Sequence, residues 1–203
     1  VTNPPIDPFR EKNIMSLQCP IGPEDNILKP SPKQVHRLWL LQPIISIADL
    51  GVFKLTKHRG WKSLVIDITF PVSEGTAGFL KRLDDICEEA TQASKTNQIL
   101  ILSDRKAGPD RVPISSLLAL GAVHHHLIEC RARMKVALVI ETAEARDVHH
   151  ICVLLGYGAD AICPYLALEL ASSLRDQGIL DSSLTDEVIY QNYAQAMVTG
   201  IRK

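Results

Sequence analysis

After Gly60 the chain settles into an alternation of short apolar runs and longer amphipathic stretches. The run LVIDITF over 64–70 predicts a strand. The segment GTAGFLKRLDDICEEATQASK that follows places Phe79, Leu80, Leu83, Ile86, Cys87 and Ala90 on one face at helical spacing, so it predicts a helix. QILILS (98–103), VALVIE (136–141) and DAIC (160–163) predict three more strands. Between and after them the spacing predicts helices from about Pro113 to Arg133, from Ala143 to Leu155, and from Tyr165 to Gly178, where a glycine stops the last one. Upstream, PIISIADLGVFKL gives a short helix with Ser46 or Asp49 as its cap.

Strands that are apolar throughout, joined by helices, mean a parallel sheet with helices on at least one face. The expected fold class is therefore α/β. Such strand–helix units make half of a (β/α) barrel, or a small doubly wound sheet. A partial barrel exposes edges and one face, so its missing wall has to come from elsewhere in the chain.

Residues 1–45 carry most of the prolines, including Pro4-Pro5 and the KPSPK run. Proline fixes φ and removes a donor, so this arm should be extended and turn-rich, with FREKNIMSL its one helical turn. The expected organisation is a Pro-rich arm with short helices over 1–60, a β/α core over 61–180, and a C-terminal helix over 181–203. The chain opens at Val1 inside the Pro-rich stretch and closes on NYAQAMVTGIRK, which reads as an unfinished helix. An excerpt of a longer polypeptide is expected.

Composition narrows the classes. Apolar residues make up 46% and charged residues 22%, ordinary for a globular domain. A net charge of −1 gives no electrostatic reason to expect nucleic acid or an anionic membrane. No apolar run reaches the roughly 18 residues of a membrane span. The five cysteines, irregularly spaced, argue against a disulfide scaffold and for an intracellular, reducing compartment.

Three groups of residues are candidates for chemistry. His126 and Cys130 are four apart on one predicted helix, and His149 and Cys152 three apart on the next, so a His2Cys2 zinc site is geometrically possible. His124, His125 and His126, however, step about 100° each around a helix and cannot converge on one ion. Packing between helices accounts for these rings better, and no metal is expected. The loops after the strands are the face where parallel α/β proteins place chemistry. They offer Ser103, Asp104, Arg105, Asp110 and Arg111, then Glu141, Thr142, Glu144 and Arg146, then Cys163 and Tyr165. Asp104, Arg105, Glu141 and Arg146 are the strand-end polar candidates. They suit an anionic substrate, and they serve equally as caps and loop ion pairs. GYGAD (156–160) lies after a helix, the wrong end for phosphate, and reads as a helix C-cap and turn. Cys19 has no activating base in sight.

Three stretches together, VTNPPIDPFRE with MSL and IGPE, SDR…AVHHHLI, and ETAEARDVHHICVLLGYGADAICPYLALE, resemble the central domain of the glutamate synthases. The likeness runs over the whole chain. It implies a segment that joins an N-terminal glutamine amidotransferase domain to a C-terminal FMN-binding domain and helps enclose an ammonia tunnel. The family's FMN and 3Fe-4S cluster would lie outside this span, as would any NAD(P)H-oxidising domain or subunit. The scattered cysteines do not match the cluster motif, and no cofactor or catalytic residue is implied here. The resemblance places Thr2, Asn3, Pro4, Pro5 and Asp7 near the tunnel or a docking surface. Two further readings stay open from the residues alone: a stand-alone small (β/α) enzyme using Asp104, Glu141 and Arg146, and a zinc-binding module.

Overall fold

The computed structural model describes residues 13–24 and 26–203. Thr2, Asn3, Pro4, Pro5 and Asp7, with the start of the Pro-rich arm, lie outside the described residues.

The centre is a parallel sheet of four strands in the order β3-β5-β7-β8: Ser63–Asp67 (β3), Ile99–Ser103 (β5), Ala137–Glu141 (β7) and Ala161–Cys163 (β8). The strands run in sequence across it, each joined to the next by a helix: Gly75–Ala93 (α2), Ser116–Glu129 (α3) and Val148–Gly156 (α4). All three helices lie on one face. Ile86 and Ala90 of α2, Leu120, Val123 and Leu127 of α3, and Ile151 of α4 pack there against Leu100, Leu102, Leu138, Ile140 and Ile162. Tyr165–Asp176 (α5) follows β8, and Asp186–Ile201 (α6) returns to lay Met197 and Val198 on the same core. Each such side chain taken fully from water contributes roughly 1.5–3 kcal/mol before entropy is counted.

The opposite face displays Ile99, Ile101, Ala137, Val139, Ala161 and Cys163, equally buried. Its cover comes from the N-terminal part of the chain. Ile47–Lys54 (α1) supplies Leu50 and Phe53, Cys19–Ile21 (β1) supplies Ile21, and Ile45 and Trp61 complete the layer. The wall that a partial barrel would lack is thus furnished by residues upstream of the sheet. The result is an open α/β sheet covered on both faces. Within the described part of the arm, β1 pairs antiparallel with Leu38–Leu40 (β2), and a capping box of Ser31 and Gln34 starts a single 3-10 turn. Ser46 and Asp49, alternative caps for α1, act together: each side chain accepts the other's backbone N–H.

Two predicted boundaries shift. The strand expected over 64–70 breaks at Ile68, because the Asp67 carboxylate turns back to accept the Thr69 N–H and hydroxyl at 2.9 and 2.8 Å. Thr69–Pro71 (β4) leaves the parallel sheet to pair antiparallel with Arg111–Pro113 (β6). The helix expected from Pro113 consequently begins at Ser116, and the one expected from Ala143 waits for the Asp147 cap before Val148.

The arm and the sheet meet at Gly22, whose φ of +117° is open only to glycine at low cost, and where an added Cβ would drive into the Trp61 ring. Gly22→Ala combines backbone strain with a clash against a buried aromatic. We expect it to lower unfolding free energy by about 2–4 kcal/mol, read as a lower urea midpoint.

Candidate functional site

Carboxylates gather where β5 and β7 end. Ser103 and Glu141 are the last residues of the two central strands and sit side by side in register. Glu141 is only 2% exposed. A buried carboxylate needs compensating partners, and it has them: Lys54 Nζ at the end of α1 donates to both oxygens at 2.7 and 2.9 Å, and the Ser103 hydroxyl donates at 2.7 Å. The Arg105 guanidinium approaches from the loop at 3.9 Å. Beside it, Cys163 at the end of β8 is a thiol pushed up to about 12 by burial and by Glu141, so it stays protonated and inert.

One residue on, Asp104 is 1% exposed. Its Oδ2 accepts the Thr142 hydroxyl at 2.9 Å and the Ala143 N–H at 2.8 Å. Because Thr142 donates its one proton there, the Ser116 hydroxyl must donate to Thr142, across 2.7 Å. Glu144 closes the chain by accepting the Ser116 N–H at 2.7 Å, which places a carboxylate at the positive end of α3. Asp104 Oδ1 is enclosed, and the neighbouring Tyr165 hydroxyl, which favours the charged form, stands off from full hydrogen-bond geometry. Burial outweighs these donors and, with Glu144 nearby, pushes the Asp104 carboxyl above its ordinary value. Burial and Asp104 likewise raise the Tyr165 phenol. Arg105 stacks over the Tyr165 ring at 4.0 Å and reaches Glu169 at 2.6 Å.

Of the four strand-end candidates, then, Asp104, Arg105 and Glu141 come together. Arg146 does not: it is exposed, and among the described residues its backbone alone is engaged, its carbonyl accepting the Tyr193 hydroxyl of α6 at 3.1 Å. Lys54, Ser116 and Glu169 also belong to the cluster, though the sequence pattern does not mark them. They sit on helices whose sequences give no sign that they face strand ends. Arg111 and Asp110 lie apart, at β6, where Arg111 binds Asp67 at 3.1 Å and the Thr69 hydroxyl at 2.8 Å.

Among the histidines, His124 is tied into the packing beside α3. His124 Nδ1 accepts from Arg133 Nε at 3.0 Å, and the same guanidinium reaches the Gly158 carbonyl and Asp160, both at 2.9 Å. Burial and Arg133 hold His124 below the usual imidazole value, hence neutral. His126 and Cys130 do share a helical face, with Sγ and Nε2 3.7 Å apart, but His149 and Cys152 lie exposed on α4 and His150 is taken up by its cap with Asp147. Among the described residues no three His, Cys, Asp or Glu side chains gather around a point that could hold a metal ion. GYGAD is the C-terminal cap of α4, where Ala159 N–H donates to the Leu154 carbonyl at 3.1 Å and Gly158 takes φ +105°.

These features define an α/β domain with a sequentially wound parallel sheet, whose strand-end carboxylates are sealed by groups of the same chain. Residues 1–203 match the family model for the glutamate synthase central domain, and the chain belongs to that family. It is 45% identical to the NADH glutamate synthase of Schizosaccharomyces pombe and 44% to that of Saccharomyces cerevisiae, in each case over all of this chain and 10% of the relative. It is 40% identical to the NADPH glutamate synthase large chain of Bacillus subtilis, again throughout, covering 13% of it. The chain therefore spans about a tenth of the length of these relatives.

Glu141 and Asp104 should respond oppositely to loss of charge. Glu141→Gln removes the partner of Lys54 and is expected to cost about 1–3 kcal/mol of unfolding free energy. For Asp104 the folded carboxyl lies above its ordinary 3.8, so the folded state holds the proton more tightly. Stability should rise as pH falls from neutrality through the folded value and level off below the unfolded one. Asp104→Asn should leave stability at neutral pH unchanged or slightly higher and abolish that rise. Urea unfolding across the acid range checks both.

Proposed function

We propose that this chain is the inter-domain segment of a glutamate synthase, a larger oxidoreductase that makes glutamate from glutamine and 2-oxoglutarate, and that it supplies spacing and wall rather than reacting groups. The observation that carries this is the state of the strand ends. Asp104 and Glu141, the groups an enzyme of this architecture would present to substrate, are 1% and 2% exposed and already committed to Thr142, Ala143, Lys54 and Ser103. In this reading FMN and an iron–sulphur cluster belong to other parts of the parent polypeptide. A glutamine amidotransferase domain precedes the segment and an FMN-binding domain follows α6. The sequential order β3-β5-β7-β8, with α2 to α4 on one side, is then an arc of a barrel-like sheet closed by its own upstream residues. An intracellular, reducing compartment suits its unpaired cysteines. The readings as a stand-alone (β/α) enzyme or a zinc module find no support in the family match.

Such a segment has a physical task. Ammonia released into bulk water at neutral pH is protonated and lost as a nucleophile, so its route between two sites must be walled off from solvent. Thr2 and Asn3, whose side chains can hydrogen-bond, are the residues to which this reading gives the polar groups of that wall, with Pro4, Pro5 and Asp7 beside them in sequence. Replacing Thr2 by Val in the parent enzyme is expected to uncouple the halves: glutamine hydrolysis continues while glutamate formed per glutamine consumed falls. A ratio that stays at the wild-type value would remove Thr2 from the route.

A further inference from the structure

The two edges of the parallel sheet are treated differently. At β8 the chain covers itself: the Ile162 N–H donates to the Pro43 carbonyl at 2.8 Å and the Ile45 N–H to the Ile162 carbonyl at 2.9 Å, with Ile44 bridged in parallel. Along β3, among the described residues, no backbone segment does the same; the Asp67 carbonyl at its C-terminal end is taken by the Arg82 guanidinium, Nε at 2.9 Å. The ladder phase follows from the Ile68 N–H, which donates to the Ser103 carbonyl at 2.9 Å. Even-numbered residues of β3 therefore bond inward to β5, and Ser63 and Val65 turn their N–H and C=O outward. Leu64 and Val65 are 39% and 44% exposed, against 0% for their partners Leu100 and Ile101. Ser-Leu-Val-Ile-Asp also contains none of the lysine, proline or bulge that normally blunts an edge.

A groove of about 500 Å³ runs along this edge, floored by Leu64, Val65 and Ala93 and walled on the α2 side by Asp85, Glu88 and Gln92. Glu89, next to them, is paired with Arg82 at 2.6 Å, whereas Asp85 and Glu88 have no ion pair among the described residues. An apolar floor, the outward backbone groups of Ser63 and Val65 and two carboxylates without an ion pair among the described residues describe the occupant: an extended strand with a basic side chain on its α2-facing side and an apolar one beside Val65. A second copy of this chain fits poorly. Two β3 strands paired about a two-fold axis would set one acidic α2 face against the other.

We propose that the open edge of β3 receives a β-strand from the rest of the parent polypeptide, one that sets a lysine or arginine over Asp85 and Glu88. This rests on the reading of the chain as a segment of a longer enzyme, about nine-tenths of whose length lies outside it by comparison with the yeast relatives.

The test uses the full-length parent enzyme. With Leu64→p-benzoylphenylalanine, irradiation and peptide mass spectrometry are expected to find one cross-linked segment outside residues 1–203, extended and carrying Lys or Arg. In the unsubstituted parent, amide exchange over 63–67 should be slow. Asp85→Lys with Glu88→Lys should quicken it at least ~10-fold and abolish the cross-link, while exchange over 99–103 stays unchanged and shows the sheet intact. Cross-linking to residues 1–12, to a second copy, to a separate polypeptide or to a helix overturns the proposal. So does fast exchange in the unsubstituted enzyme, or a cross-link indifferent to the charge reversal. None of these readouts depends on ammonia transfer, so a Thr2 variant that stays coupled would remove the channel reading and leave this one standing.

Discussion

Complete burial of β5 and β7 on both faces is the constraint from which the rest follows. Every residue of Ile99–Ser103 and Ala137–Glu141 is buried. Their backbone groups must therefore find partners on both sides within the sheet, and their side chains need two covering layers rather than one. Crossover helices supply the first layer, since a right-handed β–α–β connection returns each helix to the same side when strands are added in sequence. The second layer has to come from outside the β/α repeat. That is why a ribbon, a short helix and Trp61, all upstream of the first parallel strand, are held against Ile99, Ile101 and Val139. The N-terminal region is integral to the core.

The same burial explains the chemistry at the strand ends. A strand that ends while still covered carries its last polar side chains into a dry environment, where an uncompensated carboxylate costs several kcal/mol. Glu141 is compensated by a cation and a hydroxyl from two other elements, and so it ties α1 to β5 and β7. Asp104 is compensated less fully, by neutral donors, and its raised affinity for a proton records the difference. Two carboxylates one register step from a shared sheet end thus play unequal parts. One is a clasp, the other a mild liability accepted because it orders the Thr142–Ser116–Glu144 chain at the start of α3.

Much of this architecture was legible in the chain because it rests on periodicity. Apolar runs at 98–103 and 136–141 announce doubly buried strands, and Ser46, Asp49, Gly158 and Gly178 mark helix ends by chemistry that is local. What escaped depends on contacts distant in sequence. Nothing in LVIDITF shows that Asp67 will fold back on Thr69 and hand the strand to a second, antiparallel ribbon, since the partner Arg111 lies more than forty residues away. The β1–β2 pairing hides in a Pro-rich stretch for the same reason. Among the strand-end residues, the structure brings Asp104, Arg105 and Glu141 together, as their positions directly after strands allow. Arg146 stays apart from them, because the loop that reaches the Asp147 cap carries that residue away from the sheet. Lys54 gave no signal: a short, largely apolar helix gives no hint of which strand end its last lysine will meet.

The C-terminal helix, α6, is held mechanically by the rest of the domain. A spacer between two sites is useful only if it transmits position, and α6 is fixed at several points rather than trailing from the core. The Tyr190 hydroxyl donates to the Ile44 carbonyl at 2.9 Å and accepts from Gln42 at 3.2 Å, tying α6 to the segment that covers the β8 edge. Tyr193 binds the Arg146 carbonyl, and Gly200 sits so close to Val148 that a side chain there would collide with the first turn of α4. α6 is thus referenced to the sheet through the very segment, Pro43–Ile45, that covers the β8 edge. The segment upstream of α1 and the C-terminal helix are coupled mechanically through one sheet edge. In the proposed role, that coupling lets a domain without reacting groups of its own hold two distant sites in fixed relation.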